Sequence, residues 1–225
     1  MTLNRRKFIR RLAASAAGLA GLHAVGGLLP ARLAELDWLS THRAHAQTKD
    51  LFKPGPFGDN AVGSADAPVT IIEYASLTCP HCRDFHTSTY PALKKKYIDT
   101  GKVRFIFREF PLNDPDLAAY MLTRCADKSK FFPMIDLFFR KQREWAVSGR
   151  WDKELFKVAK FAGYTKAQFD TCLRNKDVAS KVRKVRQTGE ENNVDSTPTF
   201  FINGKIVRGN PGIEEFDKRI DALLK

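Results

Sequence analysis

Cys79-Pro80-His81-Cys82 places two cysteines three positions apart at the start of a stretch with helical character. That spacing is the minimum equipment for thiol–disulfide exchange. At a helix N-terminus the first sulfur sits at the positive end of the helix dipole, near backbone N–H groups without an intrahelical partner. Both effects favour thiolate over thiol, and the thiolate is the nucleophile. Pro80 lacks an N–H and suits the first helical position. His81 adds a donor, and positive charge when protonated, beside the Cys79 sulfur. A tenfold preference for thiolate stabilises the reduced form by about 1.4 kcal/mol and makes the couple about 30 mV more oxidising. A low-pKa thiolate is also the better leaving group. Both arguments point to a disulfide donor rather than a reductant.

Other uses of the motif fit less well. A zinc site needs two further ligands, and no second pair of this spacing exists. His86 lies four residues beyond Cys82 and could join on a helix, but three ligands on a turn and a half is poor tetrahedral geometry. Haem attachment needs His directly after the second Cys, where Arg83 stands. A merely structural disulfide stays open, although a helix start is the usual catalytic context. No metal and no organic cofactor is expected, because the dithiol is itself the redox centre.

A second signal is Ser196-Thr197-Pro198-Thr199-Phe200. Proline before a strand is either a plain strand start or a cis peptide at Thr197–Pro198. Together with the paired cysteines the second reading is favoured. A cis proline presents no N–H and exposes neighbouring backbone groups beside the sulfurs. An extended substrate peptide could pair with that edge.

These residues need elements to hold them. Val69–Ala75 reads as a buried strand, and Pro80 to about Tyr97 as a helix with a kink or break near Tyr90, imposed by Pro91. Val103–Arg108 is a second strand. A helical region covers 116–192: Phe131, Ile135, Phe138 and Phe139 repeat at helical spacing, Gly163 stops one helix, and Thr165 with Gln168 has capping-box spacing. Thr199–Ile202 and Lys205–Arg208 flank Asn203-Gly204, a strong two-residue hairpin turn. Ile213–Leu224 closes the chain as an amphipathic helix. The order is β-α-β, a helical insert, then β-β-α, a single α/β unit once the insert is set aside. Residues 47–68 are rich in Pro, Gly and Asp and read as an extended arm with at most a short strand. The boundaries expected are 1–46 for a leader, 47–115 and 193–225 for the two parts of the α/β domain, and 116–192 for the insert.

The leader reads as an export signal. Arg5-Arg6-Lys7-Phe8-Ile9-Arg10-Arg11 is a charged n-region, an Ala/Gly/Leu-rich stretch follows from Leu12 to Leu29, and Ala44-His45-Ala46 offers a cleavage site. The paired arginines followed by Phe8 resemble a twin-arginine signal. An uncleaved anchor is the alternative, since about 18 residues just span a bilayer, but the glycines and His23 weaken it. Cys79, Cys82, Cys125 and Cys172 all follow the leader, and an even count in an exported chain implies an oxidising compartment with up to two disulfides. The chain carries 38 Lys+Arg against 25 Asp+Glu, a net charge of +13. The basic run Lys181-Val182-Arg183-Lys184-Val185-Arg186 alternates with Val178, Val182 and Val185 at helical spacing, which marks a solvated face. No aromatics interleave with it, so nucleic-acid binding is not expected.

Residues 68–82, Pro68-Val69-Thr70-Ile71-Ile72-Glu73-Tyr74-Ala75-Ser76-Leu77-Thr78-Cys79-Pro80-His81-Cys82, together with Thr197-Pro198-Thr199-Phe200-Phe201-Ile202-Asn203-Gly204, resemble the DsbA family of exported thiol–disulfide oxidoreductases. The resemblance spans essentially the whole chain after the leader. It implies a thioredoxin fold with an inserted all-helical domain, and a Cys-Pro-His-Cys motif of the oxidising branch. Cys79 resembles the exposed attacking cysteine and Cys82 the buried resolving one. Pro198 resembles the cis-proline and Thr197 the substrate-contacting residue before it. Threonine there, in place of valine, is also seen in isomerase relatives, although residues 47–68 are too few for their dimerisation domain. Glu73 matches the family's buried acid: an inward carboxylate in an apolar strand would have a raised pKa and could relay a proton for Cys82. Its alternatives are a solvent-facing strand end or a pairing with Lys102. The resemblance further implies a structural Cys125–Cys172 disulfide, as in relatives from alphaproteobacteria, with free buried thiols as the alternative. The expectation is a monomeric periplasmic oxidoreductase that passes a disulfide to reduced, folding exported proteins and is reoxidised by a DsbB-like membrane partner. A disulfide isomerase or reductase is the runner-up, and a redox-inert peptide-binding module the reading from a different class.

Overall fold

A computed structural model of the protein describes residues 51–225. The expected leader, 1–46, lies outside the described residues, as do residues 47–50 of the arm. Five strands form one mixed sheet in the order β1-β3-β2-β4-β5, with β1 Asn60–Val62, β2 Val69–Ala75, β3 Val103–Glu109, β4 Thr199–Ile202 and β5 Lys205–Arg208. β2 runs parallel to β3 and antiparallel to β4, while β1 and β5 are antiparallel edges.

The central strand β2 explains how the sheet is covered. Side chains alternate across a strand. Val69, Ile71 and Ala75 enter the large core with Phe85, Phe107, Phe139 and Phe200. Ile72 and Tyr74 enter a smaller core with Ile106, Val185 and Phe201 on the other face. Glu73 shares the parity of Ile71 and Ala75, so it points into the large core. Both faces are buried, which accounts for the almost uninterrupted apolar run in the sequence.

After β2 the chain turns at Ser76–Thr78 into α1 (Pro80–Asp84), which continues through a π turn at Phe85–Thr89, α2 (Tyr90–Leu93) and a second π turn at Lys94–Ile98. Of the kink or break expected near Tyr90, no break occurs and the path stays helical to Ile98, but the regular α-helix is interrupted by the π turn that ends at Thr89, and a new segment starts at Tyr90. The Tyr90 N–H bonds five residues back to Phe85, and this wider turn lets Pro91 start a fresh helical segment, where its missing N–H is tolerated.

The insert contains α3 (Asp114–Cys125), α4 (Phe131–Arg140), α5 (Gln142–Trp145), α6 (Trp151–Phe161), α7 (Lys166–Leu173) and α8 (Lys176–Glu191). Its boundaries follow local signals. The Asn113 side chain caps α3 by accepting from the Asp116 N–H, Gly163 at φ +91 ends α6, and Thr165 with Gln168 forms a full capping box on α7. α8 lies against the second face of the sheet through Val185, and its backbone comes close to β2 at Gly189. A Cβ there would sit 2.8 Å from Tyr74 Cε1, so only glycine fits. Asn203 and Gly204, at φ 44 and 83, form the expected hairpin turn, and α9 (Ile213–Leu223) closes the large core with Phe216 and Ile220.

Cys125 at the end of α3 and Cys172 in α7 are joined by a disulfide that closes a separation of 47 residues. In the chain-entropy account a loop of this length stabilises the fold by about 4 kcal/mol. Replacing both cysteines by Ala is expected to lower the urea midpoint by a corresponding amount, with the oxidised wild type as reference. An unchanged midpoint would show that the bridge contributes nothing to stability.

Candidate active site

The turn after β2 brings Cys79 to the N-cap of α1 with extended backbone, φ −78 and ψ 123. Its carbonyl accepts from the Arg83 N–H at 3.2 Å, and its own N–H donates to the Ser76 backbone oxygen at 3.2 Å. Pro80 follows in the first helical turn, as its fixed φ favours. The Cys79 side chain is 8% exposed and Cys82, one turn further in, is completely buried. Both are free thiols in this structure.

The two sulfurs sit in opposite environments. The Cys79 pKa is lowered to about 5, first by a hydrogen bond from the Cys82 thiol, then by Thr197 and by the backbone N–H groups of Cys82 and His81, against the cost of burial. Those N–H groups are the unpaired donors of a helix start, acting as the dipole argument requires. Cys82 is pushed well above the ordinary thiol range, first by burial, then by donating to the Cys79 sulfur and by the charges of Cys79 and Glu73; the Ser76 N–H, 3.4 Å from its sulfur, opposes this. The pair therefore shares one negative charge, held on Cys79.

The other sequence signal arrives from β4. The Thr197–Pro198 peptide is cis, and the Thr197 carbonyl lies 3.3 Å from the Cys79 sulfur, where it accepts from Cys79 in its thiol form. Gly209 in the β5 return donates to the Pro198 carbonyl at 2.9 Å. His81 is exposed, as is neighbouring Pro80.

Beneath Cys82, Glu73 is fully buried. It neither faces solvent nor pairs with Lys102. Its Oε2 is 2.8 Å from His86 Nε2, and its Oε1 is buried with no hydrogen-bond partner. Burial raises the Glu73 pKa, and His86 works against that rise. His86 is itself 7% exposed and stacks on Phe139 at 4.4 Å between centroids. It borders a surface cavity of about 490 Å³ with Tyr90, Asp136 and Arg140.

Cys79, Cys82, Thr197, Pro198 and Glu73 thus converge, with exposed His81 between the two cysteines in the chain. Cys125 and Cys172 line a separate groove with Lys130 and Tyr164. Sequence reasoning named His86 only as a poor metal ligand. Its place four residues after Cys82 put it on the same inward helix face, a signal for pairing with an inward Glu73. Asp116 and Gln142, both buried against the turn before Cys79, were not named at all.

Residues 57–222 match the family model described as Thioredoxin. A Rickettsia conorii relative named for protein-disulfide oxidoreductase activity is 32% identical over 169 residues, which is 74% of this chain and 61% of the relative. This chain therefore spans less than two thirds of that relative's length. Disulfide bond formation protein D of Bacillus subtilis is 30% identical over 184 residues, 77% of this chain and 80% of the relative. The crystal structure of Wolbachia pipientis alpha-DsbA1 superposes with a TM-score of 0.71 at 31% identity, covering 78% of this chain and 95% of that one. With the paired cysteines capping α1 beside residue 197, these likenesses establish that the chain belongs to the thioredoxin family, as a DsbA-like member.

Proposed function

We propose that this protein donates the Cys79–Cys82 disulfide to pairs of thiols in exported proteins that are still folding. The observation that carries this reading is the unequal division of charge between the two sulfurs. A thiolate stabilised on Cys79 stabilises the reduced form, and a couple whose reduced form is stabilised is oxidising. In the oxidised protein a substrate thiolate attacks the Cys79 sulfur, the Cys79–Cys82 bond breaks, and Cys82 leaves as a thiolate. That thiolate is strongly basic and takes up a proton. Glu73, with its elevated pKa and a partnerless Oε1, is the candidate carrier, and His86 links it toward the surface cavity. The second substrate thiolate then attacks the substrate sulfur of the mixed disulfide. Cys79 departs as the stabilised thiolate, and two substrate thiols have become one disulfide while the protein has gained two electrons.

The backbone of residue 197 beside Cys79 offers an extended peptide an edge to pair with. Relatives named for disulfide bond formation support the same reaction class. Export to an oxidising compartment, and reoxidation by a DsbB-like membrane protein, complete the proposed cycle. Among the described residues no helix is long and apolar enough to cross a membrane.

The test mixes oxidised protein with a reduced, multi-cysteine substrate and counts free thiols on both. The expected result is one substrate disulfide formed per protein reduced, with the transfer slowed several-fold in Glu73→Gln. Substrate thiols left unconsumed by the oxidised protein, while the reduced protein reduces or rearranges the disulfides of a scrambled substrate in a parallel reaction, would overturn the donor reading in favour of reductase or isomerase activity.

A further inference from the structure

Asp116 on α3 and Gln142 on α5 both come from the helical insert, and both end on the short turn that delivers Cys79. Asp116 is completely buried and uses both carboxylate oxygens. Oδ1 accepts from the Leu77 N–H at 2.8 Å. Oδ2 accepts from the Ser76 hydroxyl at 2.5 Å, from the Leu112 N–H at 2.9 Å and from the Thr78 hydroxyl at 3.4 Å. Gln142, 3% exposed, supplies donors where Asp116 supplies acceptors. Its Nε2 donates to the carbonyls of Leu77 at 2.8 Å and Cys79 at 2.9 Å.

The two side chains together occupy both polar backbone groups of Leu77. They also reach both ends of Cys79. The Ser76 hydroxyl, which donates to Asp116, accepts from the Cys79 N–H at 3.1 Å, and Gln142 holds the Cys79 carbonyl. Tyr120, one turn after Asp116, extends the grip by donating to the Ala75 carbonyl at 2.5 Å. A buried carboxylate is costly unless fully hydrogen-bonded, and this one spends its bonds on the turn. Hydrogen bonds from N–H to a thiolate depend on direction. The His81 and Cys82 N–H groups that favour the Cys79 thiolate follow Cys79 directly in the chain, so their direction relative to its sulfur depends on the backbone angles at Cys79, φ −78 and ψ 123.

We propose that Asp116 and Gln142 are positioning residues of the redox centre, locking the Cys79 backbone so that the first N–H groups of α1 point at its sulfur. The insert then belongs to the catalytic apparatus through these two side chains. The proposal rests on the reading of Cys79 as the reactive thiolate.

The experiment follows Cys79 thiolate absorbance against pH in the reduced protein. Asp116→Asn and Gln142→Leu are compared with wild type and with Thr165→Ala, which removes a remote helix cap in the same insert. Asp116, raised to about 7 by burial, is mostly protonated where Cys79 titrates. Asp116→Asn therefore removes little charge there, and charge alone leaves the Cys79 titration midpoint nearly unmoved. Loosening the turn withdraws N–H donors and raises it. The expected result is a midpoint about 1 pH unit higher in both Asp116→Asn and Gln142→Leu, a tenfold loss of thiolate below the transition. Thr165→Ala should lower the melting temperature and leave the midpoint in place. Gln142→Leu changes no charge and is decisive even if Asp116→Asn does not fold. A midpoint in folded Gln142→Leu that stays put or falls, or one that Thr165→Ala moves equally, overturns the proposal. A wild-type midpoint near 9 would overturn the reactive-thiolate reading and this proposal with it, whereas a low wild-type midpoint that Gln142→Leu leaves unmoved overturns this proposal alone.

Discussion

Reduced Cys79→Ser is expected to react with a small disulfide reagent at neutral pH at least about a hundredfold more slowly than reduced Cys82→Ser. Two factors multiply. With its pKa near 5, Cys79 is almost wholly thiolate at pH 7. Cys82, raised well above 9, is less than about 1% thiolate there. Access adds to this, since Cys82 is completely buried while Cys79 keeps a fraction of its surface open. Cys82→Ser should also accumulate a long-lived mixed disulfide, because the group that would resolve it is gone. Intact-mass spectrometry after a short exposure to oxidised glutathione reads both outcomes. Comparable rates for the two variants, or a mixed disulfide on Cys82, would reverse the assignment of attacking and resolving sulfurs. The effect of Ser at position 82 on the Cys79 pKa works against the contrast, since the thiol of Cys82 is the largest single influence lowering it. A serine hydroxyl can donate in its place, so most of the contrast should survive.

The stability of the reduced protein relative to the oxidised one is expected to rise with pH between about 5 and about 9. Cys79 is held at about 5 in the folded protein, against an ordinary value of 9.0. In that window the unfolded chain binds a proton that the folded chain does not, so stability grows with pH. The contribution is fully present above 9, shrinks as pH falls and is gone below 5. The slope is about 1.4 kcal/mol per pH unit, with a ceiling of about 5 kcal/mol that solvent access to the sulfur lowers. Oxidised protein lacks this contribution because its Cys79 does not titrate. Asp116, raised to about 7 by burial, acts in the opposite sense: the folded state holds a proton the unfolded state has lost, and stability falls as pH rises toward 7. That carboxylate is present in both redox forms, so it largely cancels in the difference. Urea midpoints of both forms from pH 4 to pH 9 decide the matter. Parallel curves would show that Cys79 gains no thiolate stabilisation from folding, and the oxidising character would lose its physical basis.

Much of the architecture could be read from local rules. The apolar run of β2, the Asn203-Gly204 turn, the capping box at Thr165 and the stop at Gly163 are short-range signals, and each lies where the spacing predicts. Pro91 shows the limit of such rules. Proline alone predicts a break, but the π turn before it supplies a register in which the helix continues. That choice depends on burying Phe85 and His86 against the sheet, which local propensity does not encode. Glu73 was legible as an inward acid from strand parity, but its partner was not. The bond to His86 joins a strand to a helix across the core, and only the packing of α1 on β2 decides which cation or donor reaches the carboxylate.

The paired cysteines illustrate the same division. Their spacing, the proline between them and the strand before them determined that this chain has a dithiol at a helix start, because those features act within a few residues of the sulfurs. The helix start also marked Cys79 as the sulfur that holds the charge, whereas what lies beside it and what steadies it were decided by tertiary structure. Burial separates Cys82 from Cys79, β4 brings Thr197 to within 3.3 Å of the Cys79 sulfur, and the insert sends Asp116 and Gln142 to the turn from 37 and 63 residues downstream of Cys79 in the chain. Hydrogen bonds and desolvation act over a few ångströms of space whatever the separation in sequence, so the reactivity of the motif belongs to the fold that surrounds it.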